Sequence, residues 1–89
     1  MNAETLTIET PLLQTLQNWL VDKIAEQCDL KPQSVDIHKP LTNYGLDSIV
    51  AFTVVGDLED WLEIELPATL LWDYPTIAAI AEYLAEQEL

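Results

Sequence analysis

Arginine is absent from this 89-residue chain. Only three lysines (Lys23, Lys31, Lys39) and one histidine stand beside 16 acidic residues. The formal net charge of −13 repels nucleic acid and anionic membrane, and it attracts basic protein surfaces. The imbalance grows along the chain: from Leu46 to Leu89 there are ten acids and no base. The single cysteine, Cys28, excludes an internal disulfide, and its expected role is packing at a helix end. The single histidine, His38, lies in a loop beside Lys39 and Pro40, where it reads as a solvated residue. No partner for a Cys–His or Ser–His–Asp site stands at a recognisable spacing, so the sequence points away from an enzyme. No D-x-D-x-D-G loop occurs, which excludes an EF-hand. No apolar run approaches the roughly 18 residues of a membrane span. The N-terminal stretch also lacks the basic and apolar regions of a signal peptide. A soluble, cytoplasmic monomer is expected.

Glycine is equally scarce, with two residues, and the apolar spacing is mostly helical. The expectation is an all-α fold. A hydrophobic content of 49% is too high for a disordered tail. A domain of this size buries only about 60% of the surface its unfolded chain exposes, enough for one thin core and no deep, enclosed active site.

Residues 1–9 read as a flexible leader, and residues 10–89 as one domain. Thr10-Pro11 looks like an N-cap followed by proline at the first helical position. Leu13, Leu16, Leu20 and Ile24 follow at spacings of three and four, with Leu12 and Trp19 on the flanks. That pattern predicts an amphipathic helix from Pro11 to Cys28. Asp29 to Asp47 is a long connection with two prolines, of a length that often carries function. Val35, Ile37, Leu41 and Leu46 can pin it to the core, and Asn43-Tyr44-Gly45 is a turn signal.

A second helix starts at Asp47-Ser48, with Asp47 as its N-cap. Successive residues lie roughly 100° apart, so Ala51, Val54, Val55, Leu58, Trp61 and Leu62 share one face. Thr53, Gly56, Asp57, Glu59 and Asp60 occupy the other. Ile49 falls in the middle of that polar face, where the core cannot use it. Pro67–Trp72 reads as a turn or two of helix, stopped by Asp73-Tyr74-Pro75. Thr76 can cap a last helix that buries Ile77, Ile80, Ala81 and Leu84 and exposes Glu82, Glu86 and Glu88. The sum is a four-helix bundle: three main helices, a short third one, and a long loop between the first two.

Gly45-Leu46-Asp47-Ser48-Ile49 places a serine hydroxyl at a helix start, where free N–H groups and the helix dipole favour a phosphate. On this pentapeptide alone the simpler reading is that Ser48 helps to cap the helix. Two longer stretches change the weight. Leu41 through Ile49 resembles the attachment motif of the acyl carrier protein family. Glu65 through Ile77 (ELPATLLWDYPTI) resembles the same family's third-helix region. The resemblance covers residues 11–86 with its elements in the right order. It is closest to the carrier domains of polyketide synthases.

The resemblance implies a 4′-phosphopantetheine joined to Ser48 by a phosphodiester. A separate phosphopantetheinyl transferase would make the link from coenzyme A, using Mg²⁺, so the serine needs no base of its own. The thiol of the arm would carry acyl groups as thioesters to acyl-transferring or condensing enzymes with basic surfaces, in polyketide or fatty-acid-like synthesis. Asp47, Ile49, Thr53, Gly56, Asp57, Glu59, Asp60 and Glu63 form the expected partner face. The chain departs from the common family pattern at Ile49, where Leu is frequent, at Trp72, where Phe is usual, and at Gly56, which often is larger. Peptidyl carriers of nonribosomal synthesis share the architecture. Their motif usually has Gly-His or a similar pair where this chain has Leu46-Asp47, which ranks that cargo second. An unmodified acidic helical module that binds a basic partner would explain the charge but neither motif.

Overall fold

The structure is a computed structural model that describes residues 2–87, with side chains described from Leu12 onward. Four α-helices follow in order: α1 (Asn2–Cys28), α2 (Ser48–Leu62), α3 (Leu70–Asp73) and α4 (Ile77–Glu86). No strand occurs among the described residues. The all-α expectation and the short third helix are both met. Glu88 lies outside the described residues.

Leu16, Leu20 and Ile24 recur every four residues along α1, and all three side chains are fully buried. Leu12, Leu13 and Trp19 pack half-buried at their flanks. The helix starts at Asn2, however, and not at Pro11. Asn2–Thr10 holds no glycine or proline, and Ala3, Glu4 and Leu6 are good helix formers. Pro11 gives up one bond to the carbonyl a turn before it without ending the helix. The Thr10-Pro11 cap reading is therefore corrected. At the other end Asp29 takes a left-handed conformation (φ 59°), and the Leu30 N–H reaches back to the Ala25 carbonyl at 2.8 Å. This left-handed closing turn ends α1.

The long connection is held by specific bonds and needs little regular structure. It contains two single-turn 3-10 helices, Pro32–Ser34 and Leu41–Tyr44. The Asp36 amide donates to the Tyr44 hydroxyl at 2.7 Å, and Asp36 Oδ1 accepts from the His38 amide at 2.9 Å. Leu41 N–H donates to the Pro75 carbonyl (2.8 Å), and Ala78 N–H donates to the Ile37 carbonyl (2.9 Å). These two bonds fasten the loop to the start of α4. Leu41 and Leu46 are buried, with Val35 and Ile37 half-buried against the same core, as their spacing predicts. Gly45 turns the chain into α2 at φ 85°, a left-handed conformation that only glycine adopts without strain.

Ala51, Val54, Val55 and Leu58 of α2 share one core with Ile77, Ile80, Ala81 and Leu84 of α4, the buried side of α1, and Leu70 and Leu71 of α3. Thr76 caps α4 as expected, its Oγ1 accepting from the Ala79 amide at 3.1 Å. Trp61, expected in the core, is 40% exposed. It stacks instead on Trp19 of α1, ring centroids 5.0 Å apart and planes 10° from parallel. The stacked indoles join α1 to α2 at the edge of the core, where Trp61 keeps part of its surface in solvent.

Candidate functional site

Ser48 is the first residue of α2, and its side chain is exposed. Asp47 precedes it in extended conformation, and its carboxylate accepts from the Val50 amide at 2.9 Å. The helix start is thus fixed by its own cap, with Gly45 and buried Leu46 holding the approach. A hydroxyl in this position is rigidly presented to solvent at the positive end of a helix. No side chain within its own turn can act as a base toward it except Asp47, which is committed to the cap.

Beyond Ser48 the outer face of α2 is more apolar than the sequence pattern predicts. Ile49 is 77% exposed, as its helical position requires. Phe52 is 70% exposed, and its role was not legible in the division into core and polar faces. A usable signal existed, because Phe52 stands three residues after Ile49 and so only about 60° away around the helix. Ser48, Ile49, Phe52 and Thr53 together line an open cleft. Thr53 Oγ1 donates to the Ile49 carbonyl at 2.9 Å, so its hydroxyl is turned back to the main chain.

The expected acidic face divides into two classes. Asp57 Oδ2 lies 2.9 Å from Lys23 Nζ of α1, and Lys23 also sits 5.3 Å from the centre of the Trp19 ring. Glu59 Oε2 accepts from the Leu66 amide at 2.8 Å and so holds the chain as it leaves α2. Glu63 adopts a left-handed conformation (φ 58°) that ends the helix, its amide donating to the Glu59 carbonyl. Asp60 and Glu63 are exposed. Gly56 faces open space: a Cβ built there would meet nothing within 4 Å. Cys28 is a half-buried free thiol, pushed up in pKa by burial and then by the nearby charge of Asp47. Among the described residues, no group of His, Cys, Asp and Glu side chains could hold a metal ion. None of the described helices is long and apolar enough to cross a membrane.

Comparison with known proteins gives this arrangement a context. The family profile described as "Phosphopantetheine attachment site" matches residues 18–84, a span that contains Ser48 and all of α2, α3 and the buried part of α4. Mellein synthase of Phaeosphaeria nodorum is 35% identical over 77 residues, covering 81% of this chain and 4% of the synthase. The chain thus spans a small fraction of the length of that relative. A free-standing peptidyl carrier protein from a secondary metabolic pathway of Acinetobacter baumannii is 47% identical, with a TM-score of 0.78, over 81% of this chain and 90% of that one. An acyl carrier protein from Anabaena with a variant phosphopantetheinylation-site sequence is 40% identical, with a TM-score of 0.78, over 86% and 88%.

Proposed function

This chain belongs to the phosphopantetheine attachment family, and we propose that Ser48 is the residue that bears its arm. Members of the family are carriers, not catalysts, and the chain is a carrier of the polyketide or nonribosomal kind with phosphopantetheine as its prosthetic group. Carriers of this kind work with synthase enzymes. The observation that supports Ser48 is its placement: an exposed hydroxyl on the first residue of a firmly capped helix, inside the matched span.

The surroundings fit the group. A phosphodiester at Ser48 Oγ would meet the positive end of α2, and the apolar Ile49 and Phe52 stand beside it. In the attachment reaction the Oγ–P bond forms as coenzyme A's pyrophosphate link breaks and adenosine bisphosphate leaves. The serine proton passes to a base of the phosphopantetheinyl transferase, which also brings Mg²⁺. The arm supplies a thiol that carries its cargo as a thioester. Ser48 anchors it, Asp47 and Gly45 fix the anchor, and the outer face of α2 meets the partner.

The cargo we propose is an acyl intermediate of polyketide-type or fatty-acid-like synthesis. Leu46-Asp47 before the serine and the ELPATLLWDYPTI block support this, as does the match to mellein synthase. The 47% identity to a free-standing peptidyl carrier favours an aminoacyl cargo as the second reading. Residues 10–89 are read as the carrier domain, working as a monomer in the cytoplasm, with α1 extending ahead of it to Asn2.

Incubation with coenzyme A, Mg²⁺ and a broad-specificity transferase, followed by intact mass, tests the attachment. One phosphopantetheine should be gained, and none by Ser48→Ala, which stays folded because alanine is a good helix former. Modification that persists in this variant would move the site elsewhere. Loading of the modified protein by acyltransferases or by adenylation enzymes then separates the two cargo readings.

A further inference from the structure

Phe52 is the least expected side chain on this molecule. It is a large aromatic residue, 70% exposed, on a helix that already buries Ala51, Val54, Val55 and Leu58. It stands one turn after Ser48, and helical side chains lean toward the turn that precedes them. The ring therefore leans toward the attachment residue. Ile49, a second exposed apolar side chain in the first turn of α2, flanks the same space.

The cleft lined by Ser48, Ile49, Phe52 and Thr53 measures about 400 Å³ and is open to solvent. Two of its four residues bear hydroxyls, yet it is apolar in character. The Thr53 hydroxyl donates to the Ile49 carbonyl, which leaves its methyl group for the cleft. The Ser48 hydroxyl is the one to be substituted. What remains is an aromatic ring, a branched aliphatic chain and a methyl group beside a phosphodiester.

We propose that the Ile49–Phe52–Thr53 cleft seats the dimethyl end of the phosphopantetheine arm. This rests on the attachment at Ser48. The arm begins with a phosphate and a methylene, and the next carbon bears two methyl groups. That quaternary carbon is four bonds from Ser48 Oγ, and one helical turn spans about 5.4 Å. The first apolar group of the arm and the ring of Phe52 are therefore matched in reach. Because the arm is tethered inside the cleft, it competes for that space at high effective concentration. Each methyl fully buried favours the seat by roughly fourfold. In a cleft open to solvent the methyls are covered only in part, so the seat is favoured by less than this and a partner enzyme draws the arm out at small cost. The remainder of the arm, with its thiol, is left free.

The test uses holo-protein made with coenzyme A carrying ¹³C in the two methyl groups. Intact mass comes first: a missing increment defeats the attachment at Ser48, and this proposal with it. With the increment present, both methyl resonances should move upfield from their positions in free coenzyme A, and should show cross-relaxation to the Phe52 ring. In Phe52→Leu, which keeps the cleft apolar without a ring current, the upfield displacement should vanish while the mass increment and the melting temperature stay unchanged. Methyl resonances at their free positions in the full holo-protein would overturn the proposal. So would a displacement that survives Phe52→Leu. If Phe52→Leu slows a partner enzyme while the methyls never leave their free positions, the cleft belongs to the partner and the proposal is wrong.

Discussion

Lys23 of α1 reaches across to Asp57 of α2, its Nζ 2.9 Å from Oδ2, with the stacked pair Trp19–Trp61 beside it. The lysine also lies over the Trp19 ring, so one cation serves an ion pair and an aromatic face together. The hydrogen bond to Asp57 raises the Lys23 pKa above its ordinary 10.5, against a smaller opposing effect of burial. A raised lysine pKa contributes stability that is complete below the unfolded value and lost as pH climbs through the folded one. Lys23→Ala should therefore cost about 1 kcal/mol at neutral pH, combining a partly exposed ion pair with a cation–π contact. The difference from the native protein should shrink above pH 10.5. Thermal melts at neutral and alkaline pH check both statements.

The same pair divides the acidic face. Asp57→Lys should lower stability, because it opposes Lys23 with a like charge. Asp60→Lys should leave stability within about 0.5 kcal/mol of native, since Asp60 is exposed and holds no partner among the described side-chain bonds. Both reversals should slow association with a basic transferase, and added salt should slow the native protein likewise. Stopped-flow rates at two salt concentrations provide the measurement. Rates indifferent to charge and salt would reduce these acids to solubility residues.

Ile49 gives the sharpest contrast between stability and recognition. A buried aliphatic side chain contributes about 1.5–3 kcal/mol, whereas an exposed one contributes far less. With 77% of its surface exposed, Ile49→Ala should barely move the melting temperature and should clearly slow phosphopantetheinylation or transfer to a partner. A large loss of stability with an unchanged rate per folded molecule would contradict the exposed placement.

Gly56 predicts the opposite pairing. Nothing stands within 4 Å of a Cβ added there, and the backbone is helical. Gly56→Ala should stabilise the protein by about 1 kcal/mol. For a domain this small that corresponds to a rise of roughly 4–8 °C in Tm. If a partner surface approaches closely at Gly56, the added methyl slows transfer in the more stable protein. Unchanged transfer would remove Gly56 from the partner face.

Much of the site is legible in the sequence because its determinants are local. Asp47 and Thr76 announce their helix starts by residue type alone, and both accept the expected amide. The exposure of Ile49 follows from counting angles along one helix. The internal bonds of Asp57 and Glu59 are not readable in this way. One depends on a lysine in another helix, and the other on the path taken after Glu63 turns left-handed. The start of α1 misleads for a different reason: a threonine–proline pair looks the same at the first turn of a helix as inside it. Trp61 shows that helical angle assigns a side but not a depth, since its ring stacks on Trp19 at the edge of the core.

Cys28, at the end of α1, is a free thiol close to the start of α2. Asp47, one residue before the proposed anchor, is close enough to act on its thiol. The start of α2, where the arm is proposed to be anchored, thus lies near a free thiol of the same protein. Thiol exchange requires the thiolate, and burial together with the Asp47 charge keeps the proton on Cys28. A protonated thiol is a weak nucleophile, so Cys28 is a poor competitor in thiol exchange. The carboxylate that caps α2 thus also acts, after burial, to hold the proton on the thiol at the end of α1.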